Sequence, residues 1–477
     1  MAALEGLQPE RVFCRFEEIS RIPRGSGNTD RIADYLVSFA KEKGLDYSRD
    51  EANNVIIRKA GTPGYEDHNT VILQGHSDMV CEKEPGSSHD FEKDPLDLAV
   101  KDGFISAEGT TLGGDDGIAA AMMLAILESD DIPHPPLEAL ITSDEEIGLL
   151  GAQALDYSLL SGRTVINLDS EDEGIIVCGC AGGLTGESRI PVRYEETEGC
   201  WYEIAVTGLQ GGHSGSEVLK NRASALVLGG RMLYRLQERT DMSLAELSGG
   251  NKDNAIPRSL HMTAAFPEDP SPVLKELEAE LLQEYRGIDE DIRIECTACG
   301  SGARMALHPV SLQKITFFLM NMPYGLQKMS GTIEGLAETS CNPGILRLTE
   351  EELCVITGIR SSLDSARAAL SDKFCYLTEF LGGDYTVSGG YPAWEYDPDA
   401  AFPKKAADLF EEMYGRKAEL QVIHAGLECG IICKELGGAE CISIGPDMKD
   451  IHTTEEVLSV ESTKRVYEYV LELLKQL

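Results

Sequence analysis

The chain is 477 residues long and carries 42 Lys+Arg against 81 Asp+Glu, a net charge of −39. That length exceeds one compact core and predicts two or three domains, and that charge excludes nucleic acid and an anionic membrane surface as partners. The opening stretch Met1-Ala2-Ala3-Leu4-Glu5 lacks the basic and apolar regions of a signal peptide, and the 13 cysteines follow no framework spacing, so a cytoplasmic protein with reduced thiols is expected.

From Pro9 to Lys43 the apolar residues fall at helical spacing, with Ile19 and Ile22 before the Pro23-Arg24-Gly25-Ser26-Gly27 break and Ile32, Leu36 and Phe39 after it. Two helices are predicted. Strands follow at Asn54 to Arg58 and Val71 to Gln74. The second runs into Gly75-His76-Ser77-Asp78, which sets a histidine where a parallel sheet opens its ligand crevice. Asp78, two residues on along an extended segment, lies on the same side and can steer the imidazole. After an acidic stretch from Glu82 to Lys101 come Thr111-Leu112-Gly113-Gly114-Asp115-Asp116-Gly117 and a helix rich in Ala, Met and Leu from Ile118 to Leu127. The glycines permit a tight turn, and acids are electrostatically favoured at a helix start. Leu137 to Thr142 reads as a strand ending in Ser143-Asp144-Glu145-Glu146, and Val165 to Leu168 as one ending in Asp169-Ser170-Glu171. Strands that alternate with helices and end in polar groups predict a doubly wound α/β domain.

From about Glu187 the pattern becomes α+β. Strands are expected at Cys200 to Val206, Leu260 to Phe266, Ile292 to Cys296, Ile345 to Leu348 and Leu353 to Ile359, and helices at Ser224 to Leu236, Pro272 to Tyr285, around Leu312, and Ala366 to Phe380. Cys296-Thr297-Ala298-Cys299 has no second Cys or His pair nearby and reads as chance. After Gly389-Gly390 and a linker from Tyr391 to Pro398, α/β alternation returns, closing with a helix from Ser459 to Leu477. The domains expected are therefore a discontinuous α/β domain, residues 1–186 and 391–477, and an inserted α+β domain, residues 187–390.

Five residues at strand or loop ends, His76, Asp115, Glu146, Asp169 and His452, supply two imidazoles and three carboxylates. Singly, each is more often structural; together they suit two divalent ions sharing a bridging carboxylate, with Glu145 left over for proton transfer. The ordered motifs Gly75 to Asp78, Leu112 to Gly117, Asp144-Glu145-Glu146-Ile147-Gly148, Asn167 to Glu171 and Ile451-His452-Thr453 resemble the dinuclear-zinc exopeptidase family of carboxypeptidases, aminoacylases and dipeptidases. Gly211-Gly212-His213-Ser214-Gly215, Asn254-Ala255-Ile256-Pro257-Arg258 and His424-Ala425-Gly426-Leu427-Glu428-Cys429-Gly430 are most similar to its aminoacyl-histidine dipeptidase branch.

The resemblance covers nearly the whole chain and implies the following roles. Asp115 bridges two metal ions, His76 and Asp169 complete one site, and Glu146 and His452 complete the other. Asp78 orients His76, and Glu145 is the general base. The inserted domain is a lid whose His213 faces the oxyanion, while Asn254, Arg360 and His424 bind substrate and Arg258 is a weaker candidate. The ions are zinc by first choice, with manganese or cobalt suiting the same ligands. The implied activity is hydrolysis of dipeptides, Xaa-His types and other short unblocked peptides; an N-acyl amino acid deacylase or an inactive binding protein on the same scaffold are the alternatives. No nucleic acid or membrane partner is implied, and a lid of about two hundred residues makes either a monomer or a homodimer sufficient.

Overall fold

The computed structural model describes residues 3–477, so Met1 and Ala2 of the opening stretch lie outside the described residues. The chain divides into two compact units. The first extends to Cys180 and resumes at Trp394–Val422 and Leu427–Leu477; the second comprises Ala181–Ala393 and the short segment Ile423–Gly426.

The first unit is built on an eight-stranded sheet. Its centre is four parallel strands, β1 (Val71–His76), β2 (Leu137–Thr142), β3 (Thr164–Asn167) and β4 (Glu440–Ser443). β1 and β2 are buried along their whole length, which is why Val71-Ile72-Leu73 and Ala139-Leu140-Ile141 are apolar on both faces rather than alternating. β1 lies between β2 and β3, with His76 beside Thr142 and Gln74 beside Asn167, while Asn167 pairs on its other side with Ser443 of β4. The carboxyl ends of β1 and β2 therefore lie level, and those of β3 and β4 lie level with each other two residues short of them. Antiparallel strands Asp46–Arg49 and Val55–Lys59 extend the sheet beyond β2, and Ile175–Cys180 and Glu419–Ile423 extend it beyond β4. Every residue of helix α1 (Gly114–Leu127) is buried, as expected of a helix apolar on all sides, because it lies between β1 and the helix Glu10–Ser20. The two predicted N-terminal helices are Glu10–Ser20 and Asp30–Lys43, the second ended by Gly44 at φ 68. Among the described residues no helix is long and apolar enough to cross a membrane.

The second unit is a nine-stranded sheet with the helices Ala225–Arg239, Ser271–Glu284, Pro309–Asn321 and Asp364–Phe380. Its longest pair is Tyr194–Thr207 against Arg293–Leu307. Within this one sheet Ser243–Gly249 meets Ala337–Leu348. Ile204, Leu260, Phe266, Phe318 and Phe374 form part of one core beneath it. Several strands are longer than their apolar pattern predicts, Tyr194–Thr207 and Arg293–Leu307 among them. Ala337–Leu348 starts well before Ile345 because the buried residues of its first half include Glu338, Thr339, Ser340 and Asn342, which carry no hydrophobic signal. Asp384–Tyr391 runs through Gly389-Gly390 as an edge strand exposed along most of its length.

Candidate active site

β1 ends on His76, and the residue before it has no room for a side chain. A Cβ on Gly75 would collide with the carboxylate of Asp116, whose Oδ2 accepts the His76 backbone N–H at 3.1 Å. The His76 ring is 1% exposed. Its Nε2 lies 3.0 Å from Asp115 Oδ1 and 3.5 Å from Asp169 Oδ1, and its Nδ1 lies 3.4 Å from Asp78 Oδ1. Asp78 is fully buried and also accepts the Ser26 hydroxyl at 2.7 Å and the backbone N–H groups of Glu145 and Glu146 at 3.0 and 3.3 Å. It thus ties the end of β1 to the loop that follows β2, so Glu145 and Glu146 of that loop are placed by the same carboxylate that faces His76.

Asp115 heads α1 but keeps an extended backbone, φ −77 and ψ 106, which projects its carboxylate beyond the helix end. One oxygen faces His76; the other lies 3.1 Å from His452 Nε2, which is 3.0 Å from Glu146 Oε1. Ligand-type atoms come within 4.8 Å of one another in three overlapping groups: His76, Asp116 and Asp169; His76, Glu145 and Glu146; and Asp115, Glu146 and His452. Asp144 at φ 52 and His452 at φ 62 hold the left-handed backbone region, which costs non-glycine residues on the order of 1–2 kcal/mol each and persists only where the surroundings enforce it.

The electrostatics follow from crowding acids out of water. Burial, reinforced by neighbouring carboxylates and only partly offset by His76, pushes Asp169 up to about 8 and Glu145 well above the usual carboxylate range. Burial likewise raises Asp116 well above its ordinary value and Glu428 to about 7. Asp78 goes the other way, to about 2, because hydrogen bonds and the charge of His76 outweigh its burial. Burial opposes the His452 imidazolium, but Asp115 and Glu146 overcome it and lift His452 to about 11. The cluster is rich in negative charge, and its donors are carboxylate oxygen and imidazole nitrogen without thiolate. That set fits divalent cations, which would supply the missing positive charge.

Sequence reasoning missed the buried network beneath these ligands. Glu428 Oε2 accepts Gln74 Nε2 at 2.5 Å and the Thr142 hydroxyl at 2.6 Å, and Gln74 Oε1 accepts Asn167 Nδ2 at 2.6 Å. Gln74 and Asn167 each precede a candidate ligand by two residues, so the network links the strands that deliver His76 and Asp169. Glu428 stands inside the His424 to Gly430 motif and Asp116 doubles Asp115, so each carries a signal in the sequence.

The remaining predicted residues belong to the second unit. His213 pairs with Ala255 in a two-residue ladder, and the Ser214 N–H donates to the Asn254 carbonyl at 2.9 Å. His213 Nδ1 accepts the Ser216 backbone N–H at 3.0 Å, which in a neutral ring puts the proton on Nε2. Arg360 pairs with Ser340 across the sheet and donates to the Tyr391 hydroxyl at 3.0 Å. His424 Nε2 lies 2.7 Å from Ser340 Oγ, and burial, then the charge of Arg360, pushes His424 down to about 4. A Cβ on Gly215 would lie 2.9 Å from the His424 carbonyl and 3.0 Å from the His213 ring. His213, Arg360 and His424 thus share one neighbourhood, while Arg258 spends its Nε on the Gln210 carbonyl at 2.7 Å.

The sequence profile described as Peptidase family M20/M25/M40 matches residues 72–476. The cytosol non-specific dipeptidase of Escherichia coli (strain K12) is 33% identical over 483 aligned positions, covering 100% of this chain and 99% of that protein. The crystal structure of an aminoacylhistidine dipeptidase from Vibrio alginolyticus matches with a TM-score of 0.88 at 33% identity, over 99% of this chain and 98% of that one. A tripeptidase from Staphylococcus aureus matches with a TM-score of 0.57 at 18% identity, over 98% of each chain, and shares the fold.

Proposed function

The chain belongs to peptidase family M20/M25/M40, and on that premise we propose that it is a metal-dependent dipeptidase that hydrolyses short unblocked peptides, Xaa-His dipeptides included. The observation that carries the reading is Asp115, one carboxylate set between His76 and His452 with Glu145 and Glu146 alongside. His76 and Asp169 would hold one divalent ion, Glu146 and His452 a second, and Asp115 both; zinc is the first choice for these donors, ahead of manganese or cobalt. When bound, such ions supply Lewis acidity toward water and the scissile carbonyl.

The chain's own groups do the rest. Glu145 takes a proton from the attacking water and returns it to the leaving amine, a task for which a carboxyl kept in an apolar, acid-rich setting has the needed basicity. Asp78 keeps His76 and the Glu145 loop in place. From the second unit, read as a lid, His213 offers its Nε2 proton to the developing oxyanion, and Asn254, Arg360 and His424 bind the substrate backbone and carboxylate. That the E. coli relative is a cytosol non-specific dipeptidase and the V. alginolyticus one an aminoacylhistidine dipeptidase supports the substrate class and, for the former, a cytosolic location. Metal analysis of the purified protein, with turnover of a dipeptide panel against the matching N-acetyl amino acids, tests the reading. About two ions per chain and faster dipeptide turnover are expected. Faster turnover of the acylated compounds would overturn the choice in favour of a deacylase.

A further inference from the structure

Two buried, oppositely charged side chains outside the ligand set grip the turn that leads into Asp115. Arg24, 1% exposed, donates from Nη1 to the carbonyls of Ser77 and Asp78, both at 3.0 Å, and from Nη2 to the carbonyl of Gly113. Glu456, 3% exposed, accepts the N–H groups of Leu112 and Gly113 on Oε2 at 2.8 and 3.1 Å and that of Gly114 on Oε1 at 2.8 Å. The carboxylate therefore holds the donors of the Leu112-Gly113-Gly114 turn, and the guanidinium holds its acceptor while joining it to the end of β1. The turn is shaped to this clasp. Gly113 has φ 62, and a Cβ there would strike the Arg24 guanidinium, as would one on Gly117. Removing a guanidinium and a carboxylate from water is costly, and here both are used on backbone groups next to candidate metal ligands.

We propose that Arg24 and Glu456 are a pair of positioning residues that set the spacing between Asp115 and the His76–Asp78 strand end, and thereby the metal affinity of the centre. The inference rests on the metal reading above. Neither side chain bonds a candidate ligand's side chain in the contacts described, so both act through backbone.

The test uses the full-length chain. Arg24→Lys keeps the charge but loses the fork that reaches two backbone segments; Glu456→Gln keeps the shape but turns a donor toward backbone N–H groups. Zinc affinity is read by competition with a chromophoric chelator, the metal-free melting temperature is read in chelator, and kcat and KM are read on a dipeptide. Each variant is expected to lose on the order of 10- to 100-fold in zinc affinity. The double variant should lose less than the product of the two, because both hold one turn, and KM should stay unchanged. Zinc affinity equal to wild type in both variants, whatever happens to the melting temperature, would overturn the inference and leave a purely structural clasp. Should Arg24→Lys fail to fold, Glu456→Asp carries the same comparison. Asp115→Asn runs in parallel: if it too leaves zinc affinity untouched, the metal reading itself fails, whereas a drop there alone sinks only the positioning role.

Discussion

In the first unit His76, Glu146 and Asp169 sit at the ends of parallel strands or on the loops that leave them, Asp115 heads α1, and Asp115 and Asp169 are acids driven out of the usual carboxylate range. In the second unit His213, Arg360 and His424 sit on antiparallel strands and connecting loops, and His424 is held neutral with an ordinary hydroxyl contact. The difference has a physical origin. A parallel sheet brings the carboxyl ends of consecutive strands to one edge, so charge accumulates there and creates a demand for cations. An antiparallel sheet sends alternate strand ends to opposite edges, so its polar residues are spaced singly and suit the recognition of a small, already charged molecule. The first region is therefore expected to govern kcat and metal content, the second KM and the oxyanion.

Glu145→Ala gives the sharpest version of that division. Turnover should fall by about 10³-fold or more with metal content by mass spectrometry unchanged; unchanged turnover would remove Glu145 as the base. His213→Ala should lower kcat by about 10²-fold with metal retained, the usual cost of one oxyanion donor, and a loss of metal instead would blur the comparison. Arg360→Ala should raise the dipeptide KM by on the order of 10-fold with a smaller change in kcat, since removing a charged hydrogen bond costs about 1.5–3 kcal/mol. The last effect concerns stability. Folding favours neutral His424, whose folded value near 4 lies below the ordinary 6.5. Its contribution is thus complete above about pH 6.5 and is lost as pH falls toward 4, amounting to about 2 kcal/mol by pH 5. Urea unfolding at pH 8 and pH 5 should show that loss in the wild-type chain and not in His424→Gln; equal losses would break the assignment.

What could be read from the sequence follows the same division. The buried parallel strands Val71–His76 and Leu137–Thr142 carry the apolar triplets Val71-Ile72-Leu73 and Ala139-Leu140-Ile141, and each stops at a polar cluster, so His76 and Glu146 are legible in the sequence. Arg24 is not. It lies in a loop beside a proline and glycines, where an arginine normally faces water, and only the folded chain shows it buried. The first half of Ala337–Leu348 was hidden because its buried side chains are polar. Nor does any local signal mark Ile423–Gly426 as a fragment of the second unit, since the strand that leads into it belongs to the first unit's sheet.

That four-residue excursion bears on the order in which the protein can be completed during synthesis. The second unit's own segment, Ala181–Ala393, leaves the ribosome long before residue 424, yet the partner of Ser340 arrives only with Ile423–Gly426. The first unit is waiting at the same moment, because β4 is the neighbour of β3 and follows at Glu440–Ser443. Both units are thus finished by the same late stretch of chain, and a nascent chain halted before residue 423 holds two unfinished units rather than one finished and one pending.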